Sequence, residues 1–131
     1  MDYYLLTDLA GTMGYHLAMS GAETFRVEDT VHRILGAYGI ECEVFAIPNS
    51  ISVSLEAANG KPLMVLRRIG FHGNDLEKLE KLNALSRRIC AEKPAPDEAF
   101  RWLRETLDDC RTLSFPRRIV QTVYRLFAPL F

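Results

Sequence analysis

The chain has 131 residues, a length that suits one domain with its own hydrophobic core. Apolar residues make up 48% and charged residues 25%, as in folded globular proteins, so global disorder is not expected. Sixteen basic residues nearly balance seventeen acidic ones, which gives a formal net charge of -1. General nucleic-acid binding normally needs a basic face, so nucleic acid is not an expected partner.

The cysteines and the N-terminus indicate a protein of the cell interior. Cys42, Cys90 and Cys110 are odd in number and widely spaced, which is typical of free thiols in a reducing compartment. Asp2 and Asp8 interrupt the region where a signal peptide would need a basic start and an apolar core. No stretch approaches the roughly 18 to 20 apolar residues of a membrane span.

Two amphipathic helices are predicted to open the chain. Residues 3–19 carry an apolar stripe at helical spacing, while Gly11 and Gly14 either weaken this helix or permit the close approach of another element. The second helix has Thr24 as its predicted N-cap and Gly39 as a left-handed C-terminal cap. Its core-facing stripe comprises Val27, Val31, Ile34, Leu35 and Tyr38.

Three short strands follow, at about residues 42–47, 51–56 and 63–69. In the second strand, Ile51, Val53 and Leu55 alternate with polar residues, which predicts one buried face and one polar face. Asn59 and Gly60 form a strong hairpin signal. The connections are too short for parallel crossovers, so the strands predict an antiparallel meander.

Three more helices are predicted after the sheet, at residues 74–91, from Pro96, and from Pro116 to the end. The order α-α-β-β-β-α-α-α, with strands and helices segregated, indicates an α+β fold of helices packed on the three-stranded meander. The predicted apolar face of the third helix comprises Leu76, Leu79, Leu82, Leu85 and Ile89.

A search for catalytic and ligand-binding patterns gives no catalytic residue, no metal site and no cofactor. The histidines, His16, His32 and His72, lie on separate elements without the spacing of metal ligands, and His32 is predicted to face solvent. The turn at residues 70–75 precedes a helix and could hold an anion, but it lacks the lysine and spacing of a P-loop. A plain strand-to-helix turn is favoured.

Charged residues cluster at the start of the second helix: Glu23, Arg26, Glu28, Asp29 and Arg33. Arg26 and Arg33 are seven positions apart, so they share a helix face. One interpretation is a solvated face with an arginine–glutamate pair that fixes the turn. The other is a polar contact to a substrate, a neighbouring domain or a membrane partner.

Paired arginines also occur elsewhere in the chain. Arg67 and Arg68 are adjacent in a strand and are predicted to point to opposite faces of the sheet. Arg117, Arg118 and Arg125 flank an apolar helix face near the C-terminus. That composition fits a helix at a membrane surface or on a partner, and equally an ordinary terminal helix packed on the core.

Several motifs, in order, resemble the N-terminal domain of the threonine/serine exporter family. Residues 21–34 are similar to the signature opening of that domain, and residues 37–51 are similar to the helix end and strand that follow it. Arg67, Arg68 and Ile69 resemble the end of its third strand. Residues 75–87 resemble its "D-L-x-K-L-x-x-L-N-x-L-S-R" helix. The resemblance covers roughly residues 3–110.

The resemblance implies export of small hydroxy amino acids or related metabolites, driven by an ion gradient. It implies that residues 1–113 form a cytoplasmic α+β domain at the cell membrane. Residues 114–131 would be an amphipathic C-terminal helix where the family's chain first meets the membrane. The family's membrane bundle is not expected in this sequence. The implied partners are a membrane-spanning exporter subunit or domain, a small amino acid and, in a homo-oligomer, a second copy.

The residues expected to have a polar functional role are Arg26, Glu28 and Arg33, followed by Glu23 and Asn83. Fixing domain geometry or gating access is the expected role. Two rival hypotheses stay open. One is a small hydrolase-like enzyme, and the other is a soluble regulatory module that binds a ligand between the second helix and the sheet. A pocket lined by Arg26 and the turn at residues 70–74 would favour the second.

Overall fold

The computed structural model describes residues 2–113, with side chains through residue 110. The elements follow the predicted α+β order through the fourth helix, and the helix predicted from Pro116 lies outside the described residues. The elements are α1 (Tyr3–Met19), α2 (Thr24–Ala37), β1 (Cys42–Ile47), β2 (Ser50–Glu56), β3 (Pro62–Arg68), α3 (Leu76–Glu92) and α4 (Pro96–Leu113).

The sheet is the predicted antiparallel meander, with strand order β1-β2-β3. Pro48 and Asn49 link β1 to β2, and residues 57–61 link β2 to β3. In the second link, Gly60 has φ +79° and its N–H donates to the carbonyl of Ala57 at 2.9 Å. The predicted turn at Asn59 and Gly60 is therefore present, within a connection that is longer than a two-residue hairpin loop.

The two faces of the sheet differ in their surroundings. Ile51, Val53 and Leu55 of β2 point inward and are buried beneath the helices, as predicted. On the outer face, Phe45 of β1 lies opposite Ser52, which lies opposite Leu66 of β3. Phe45 and Leu66 are both exposed. The hydrophobic core is thus confined to the side of the sheet that the helices cover.

Close packing joins α1 to the sheet. A Cβ atom on Gly14 would lie 2.4 Å from Cδ1 of Ile51 and 3.0 Å from a methyl group of Val31. Of the two explanations offered for this glycine, close approach is confirmed. Arg67 of β3 bonds to Asp8 and Thr12 of α1, whereas Arg68 is exposed. The prediction that these two arginines lie on opposite faces is confirmed.

Two details of the helix ends differ from the predictions. Thr24 is the first residue of α2, and Glu23 is its N-cap without a side-chain capping bond. α3 begins at Leu76 after Asp75, whose carboxylate accepts the N–H of Lys78 at 3.1 Å. Leu76 is 69% exposed, so its assignment to the apolar face was wrong. It lies at the surface end of α3, and the helix meets the core only from its next turn.

The C-terminal end of α2 matches its prediction. Gly39 has φ +76° and follows the C-cap residue Tyr38. The Tyr38 hydroxyl donates to the carbonyl of Pro94 at 2.6 Å, in the segment between α3 and α4. This bond fixes the end of α2 against the later helices, beside α3.

Candidate functional site

Most of the predicted site residues line a depression between α2 and α3, here called the α2–α3 groove. Its inner part has a volume of about 110 Å³ and is lined by Leu17, Gly21, Ala22, Glu23, Arg26, Thr30, Leu79 and Asn83. Its outer part has a volume of about 440 Å³ and is lined by Asp29, Thr30, Arg33, Asn83, Ser86, Arg87, Cys90 and Ala91. Thr30 and Asn83 line both parts, so the two are adjacent.

The turn between α1 and α2 shapes the inner end of the groove. Gly21 has φ +103°, and a Cβ atom there would lie 2.9 Å from the carbonyl oxygen of Gly73. The N–H of Gly73 donates to the carbonyl of Met19 at 2.7 Å, and the N–H of Asp75 donates to that of Ser20 at 3.0 Å. These bonds attach the segment before α3 to the end of α1 and so bring the N-terminal ends of α2 and α3 together.

Three of the five predicted site residues line the inner part of the groove: Glu23, Arg26 and Asn83. Glu23 and Arg26 are exposed at its mouth, while Leu17 is only 1% exposed. Within residues 2–113, neither Glu23 nor Arg26 forms an ion pair or a side-chain hydrogen bond. The inner part therefore presents one acidic and one basic group that the described fold does not use.

Arg33 lines the outer part, on the same side of α2 as Arg26, as its spacing predicted. Its guanidinium lies 3.0 Å from the carboxylate of Asp29, one helical turn earlier. Both side chains are more than half exposed, and an exposed ion pair of this kind contributes only about 0 to 1 kcal/mol. The arginine–glutamate pair predicted for the turn is thus replaced by an arginine–aspartate pair within the helix.

Glu28 lies apart from the groove. It is half-buried, and its Oε1 accepts the backbone N–H of Ala46 at 2.9 Å. Ala46 belongs to β1, which has a neighbouring strand on one side only. Edge strands carry backbone groups that need partners outside the sheet, and Glu28 supplies one. The structure therefore gives Glu28 a role in joining α2 to the sheet and separates it from Arg26 and Arg33.

Burial affects the acidity of the thiol that lines the groove. Burial raises the pKa of Cys90, and the nearby charge of Arg33 only partly opposes this increase. Burial and then the charge of Glu43 raise the pKa of Cys42 as well. Because the thiolate is the reactive form, a raised pKa lowers the reactive fraction at neutral pH.

The histidines do not meet in the groove. His32 and His72 are exposed, as predicted for His32, and His16 has its Nδ1 3.2 Å from the ammonium of Lys78. Across residues 2–113, no group of three or more His, Cys, Asp or Glu side chains is arranged to hold a metal ion. Among the helices of the same residues, none combines the length and apolar character needed to cross a membrane.

Among the polar residues of the groove that sequence reasoning missed are Thr30 and Arg87. Thr30 lies four positions after Arg26, and Arg87 lies four positions after Asn83, so each occupies the same helix face as a predicted residue. This spacing could have identified both residues once α2 and α3 were known to face each other. That pairing is set by the tertiary packing and is not readable from either helix alone.

A family model described as "Putative threonine/serine exporter" (ThrE) matches residues 8–131, which include α2, α3 and every residue that lines the groove. No curated protein matches, and no solved structure matches.

Proposed function

From the threonine/serine exporter family, to which this chain belongs, we propose that residues 2–113 form a cytoplasmic domain of an exporter of threonine, serine or related metabolites. The domain acts at the cytoplasmic face of the membrane with a membrane-spanning part that lies outside these residues. Export needs a path whose backbone groups are satisfied inside the bilayer, and the proposal assigns that path to the spanning part. The family match across nearly the whole chain carries this proposal.

The two polar sides of α2 suggest how the domain takes part. Glu28 is bonded to β1 and holds the helix in place, whereas Glu23 and Arg26 line a groove and have no ion-pair partner among the described residues. A charged group that is bonded within the fold, such as Glu28, fixes the domain's geometry. Charged groups without such a bond, such as Glu23 and Arg26, can contact another molecule. We assign gating of access to the groove side of α2 and domain geometry to Glu28.

The role we propose is not enzymatic. A hydrolase would have to bring titratable groups together in one cleft. Instead, Glu23 lines the groove, Glu28 contacts β1, and His72 is exposed on the segment before α3. Because the pKa of Cys90 is raised, its thiol is mostly protonated at neutral pH. These separate positions support a domain that senses the substrate or gates its access to the transport path, and not one that catalyses a reaction.

Efflux from intact cells tests the proposal. The full chain is produced together with a membrane-spanning subunit of a threonine/serine exporter, and export of labelled threonine from preloaded cells is measured with and without the chain. We expect efflux to require both components. Efflux that is unchanged when the chain is omitted would contradict the proposal.

Point variants then test the groove side of α2 in the same assay. Arg26→Ala should lower efflux, whereas Arg68→Ala, which removes an exposed arginine from the outer sheet face, should leave efflux unchanged. Immunoblots confirm that both variants are present at the normal level. Equal efflux from the two variants would argue against a role for the groove.

A further inference from the structure

The inner part of the α2–α3 groove combines two opposite charges with an apolar floor. Glu23 is the N-cap of α2 and Arg26 lies in the first turn of this helix, and both residues line the inner part of the groove. The apolar part of the lining comes from Leu17, Ala22 and Leu79. A site with one acid and one base repels neither end of a molecule that carries both charges.

The paired charges favour a ligand that carries both signs over a simple anion or a metal ion. An isolated anion such as phosphate would meet the carboxylate of Glu23, and a metal ion would meet the guanidinium of Arg26. A zwitterion instead satisfies both groups at once, because a guanidinium binds a carboxylate with two parallel hydrogen bonds and a carboxylate binds an ammonium. The α-carboxylate and α-ammonium of a free amino acid are one carbon apart, which suits two side chains separated by less than one helical turn.

The size and the remaining polar groups restrict the side chain of that amino acid. The volume of about 110 Å³ is well below the roughly 300 to 1,000 Å³ of sites for drug-sized ligands. The inner part therefore suits a small ligand. Thr30 contributes a hydroxyl group and Asn83 a side-chain amide to the lining, so a short polar side chain would find hydrogen-bonding partners of both kinds.

We propose that the inner part of the α2–α3 groove binds a free, small, polar amino acid, with its carboxylate on Arg26 and its ammonium on Glu23. The proposal rests on the proposed function, because it makes the exported class of compound the ligand of the cytoplasmic domain. Binding there would bridge α2 and α3 through Asn83. The groove would then report the substrate concentration in the cytoplasm to the spanning part.

Titration of the isotope-labelled full chain, followed by NMR, tests the site. L-threonine and L-serine should shift the backbone signals of residues 21–30 and of Asn83, with Kd in the millimolar range that suits an exposed site. L-lactate lacks the ammonium and L-alaninol lacks the carboxylate, so both should bind at least tenfold more weakly than L-threonine. Equal binding of lactate or alaninol, or no shift with threonine, would overturn the proposal.

Variants locate the binding and control for folding. Arg26→Met should weaken threonine binding by roughly ten- to a hundredfold, the usual loss for a hydrogen bond to a charged group. Arg68→Met removes an exposed arginine outside the groove and should leave Kd unchanged. Glu23→Gln keeps the side-chain shape and should also weaken binding, so the test does not depend on one variant. Normal binding by both groove variants would overturn the proposal.

The outcomes separate this site from the proposed function. Threonine binding that depends on Arg26, in a chain that efflux does not require, would support the site and contradict the exporter role. Efflux that requires the chain, without any threonine binding, would support the exporter role and contradict the site.

Discussion

The two polar sides of α2 have different relations to the fold. On the side facing β1, Glu28 is half-buried and bonded to the backbone of Ala46. On the side facing α3, Glu23 and Arg26 are exposed at the mouth of the groove and form no ion pair within residues 2–113. One short helix thus carries charges that the described structure uses and charges that it leaves for contact.

This difference shows that a cluster of charges in a sequence can be a mixture. Glu28 and Arg26 are two positions apart, yet helical geometry directs them to different neighbours. A residue used by the fold should affect stability when changed, and one left for contact should affect binding. Stability measurements can therefore distinguish the two kinds of charged residue. The following changes are given in order of decreasing expected effect.

Gly21→Ala should lower the free energy of unfolding the most, because both the backbone conformation and the available space at this position favour glycine. Its φ of +103° disfavours any side chain, and the new Cβ would lie 2.9 Å from a backbone oxygen of Gly73. We expect a loss of roughly 1 to 3 kcal/mol in the free energy of unfolding, measured by urea denaturation. Gly36→Ala is the matched control, since Gly36 lies in α2 with no atom near its would-be Cβ. A similar loss in both variants would contradict the assignment.

Glu28→Ala should lower the free energy of unfolding by about 1 to 2 kcal/mol, because the N–H of Ala46 loses its charged acceptor. Glu28→Gln retains an acceptor oxygen and should lose less. Glu23→Ala should stay within about 0.5 kcal/mol of the natural chain, because Glu23 makes no capping bond. Urea denaturation of the three variants measures this order, and equal losses for Glu23→Ala and Glu28→Ala would erase the distinction between the two sides of α2.

Separating Arg33 from Asp29 should have a still smaller effect. Their side chains are 74% and 59% exposed, and double-mutant cycles of such helix pairs give about 0.3 to 0.5 kcal/mol. Thermal or urea denaturation of Arg33→Met, Asp29→Asn and the double variant measures the coupling. A coupling above about 1 kcal/mol would show that the Arg33–Asp29 pair stabilises the fold more than its exposure predicts.

The smallest expected effect concerns Cys90, whose thiol should react only slowly with an alkylating reagent at neutral pH. Burial raises its pKa above the ordinary value of 9.0, so alkylation at pH 7 should be slower than for the same cysteine in urea-unfolded chain. The rate should increase as pH rises past 9. Mass spectrometry of iodoacetamide-treated chain measures it, and equal rates in folded and unfolded chain at pH 7 would contradict the expected protection.

The same raised pKa values have a consequence for stability. Cys42, Cys90 and Tyr38 all have pKa values raised chiefly by burial, so the folded state binds their protons more tightly than the unfolded state. The stability that they contribute is present below the unfolded pKa values and is lost as pH rises above about 9 to 10.

The sequence predicted most of the fold because its local signals agree with the tertiary structure. The stripe of α2, the alternation in β2 and the left-handed Gly39 each depend on neighbours in sequence, and each was confirmed. Leu76 was wrongly placed because a periodic pattern does not reveal where a helix first meets the core. Thr24 was wrongly placed because either it or Glu23 could precede the first helical turn.

The candidate site was less predictable because it depends on contacts between distant segments. The shared face of Arg26 and Arg33 follows from spacing within one helix. The bond from Ala46 to Glu28 spans a turn, a helix end and a strand start, and no local pattern encodes it. The groove itself exists because the segment before α3 is bonded to the end of α1. Residues that act through such contacts become visible only in the folded chain.

The close contact at Gly14 limits how this protein can be engineered. Replacing glycine inside a helix with alanine normally raises helix propensity by up to about 1 kcal/mol and is a common route to thermostability. At Gly14 the added methyl would overlap Ile51 at 2.4 Å and crowd Val31, so that gain would be outweighed by displaced core packing. A stabilising design guided by propensity should leave Gly14 unchanged and begin at Gly36, where the added methyl meets no neighbour.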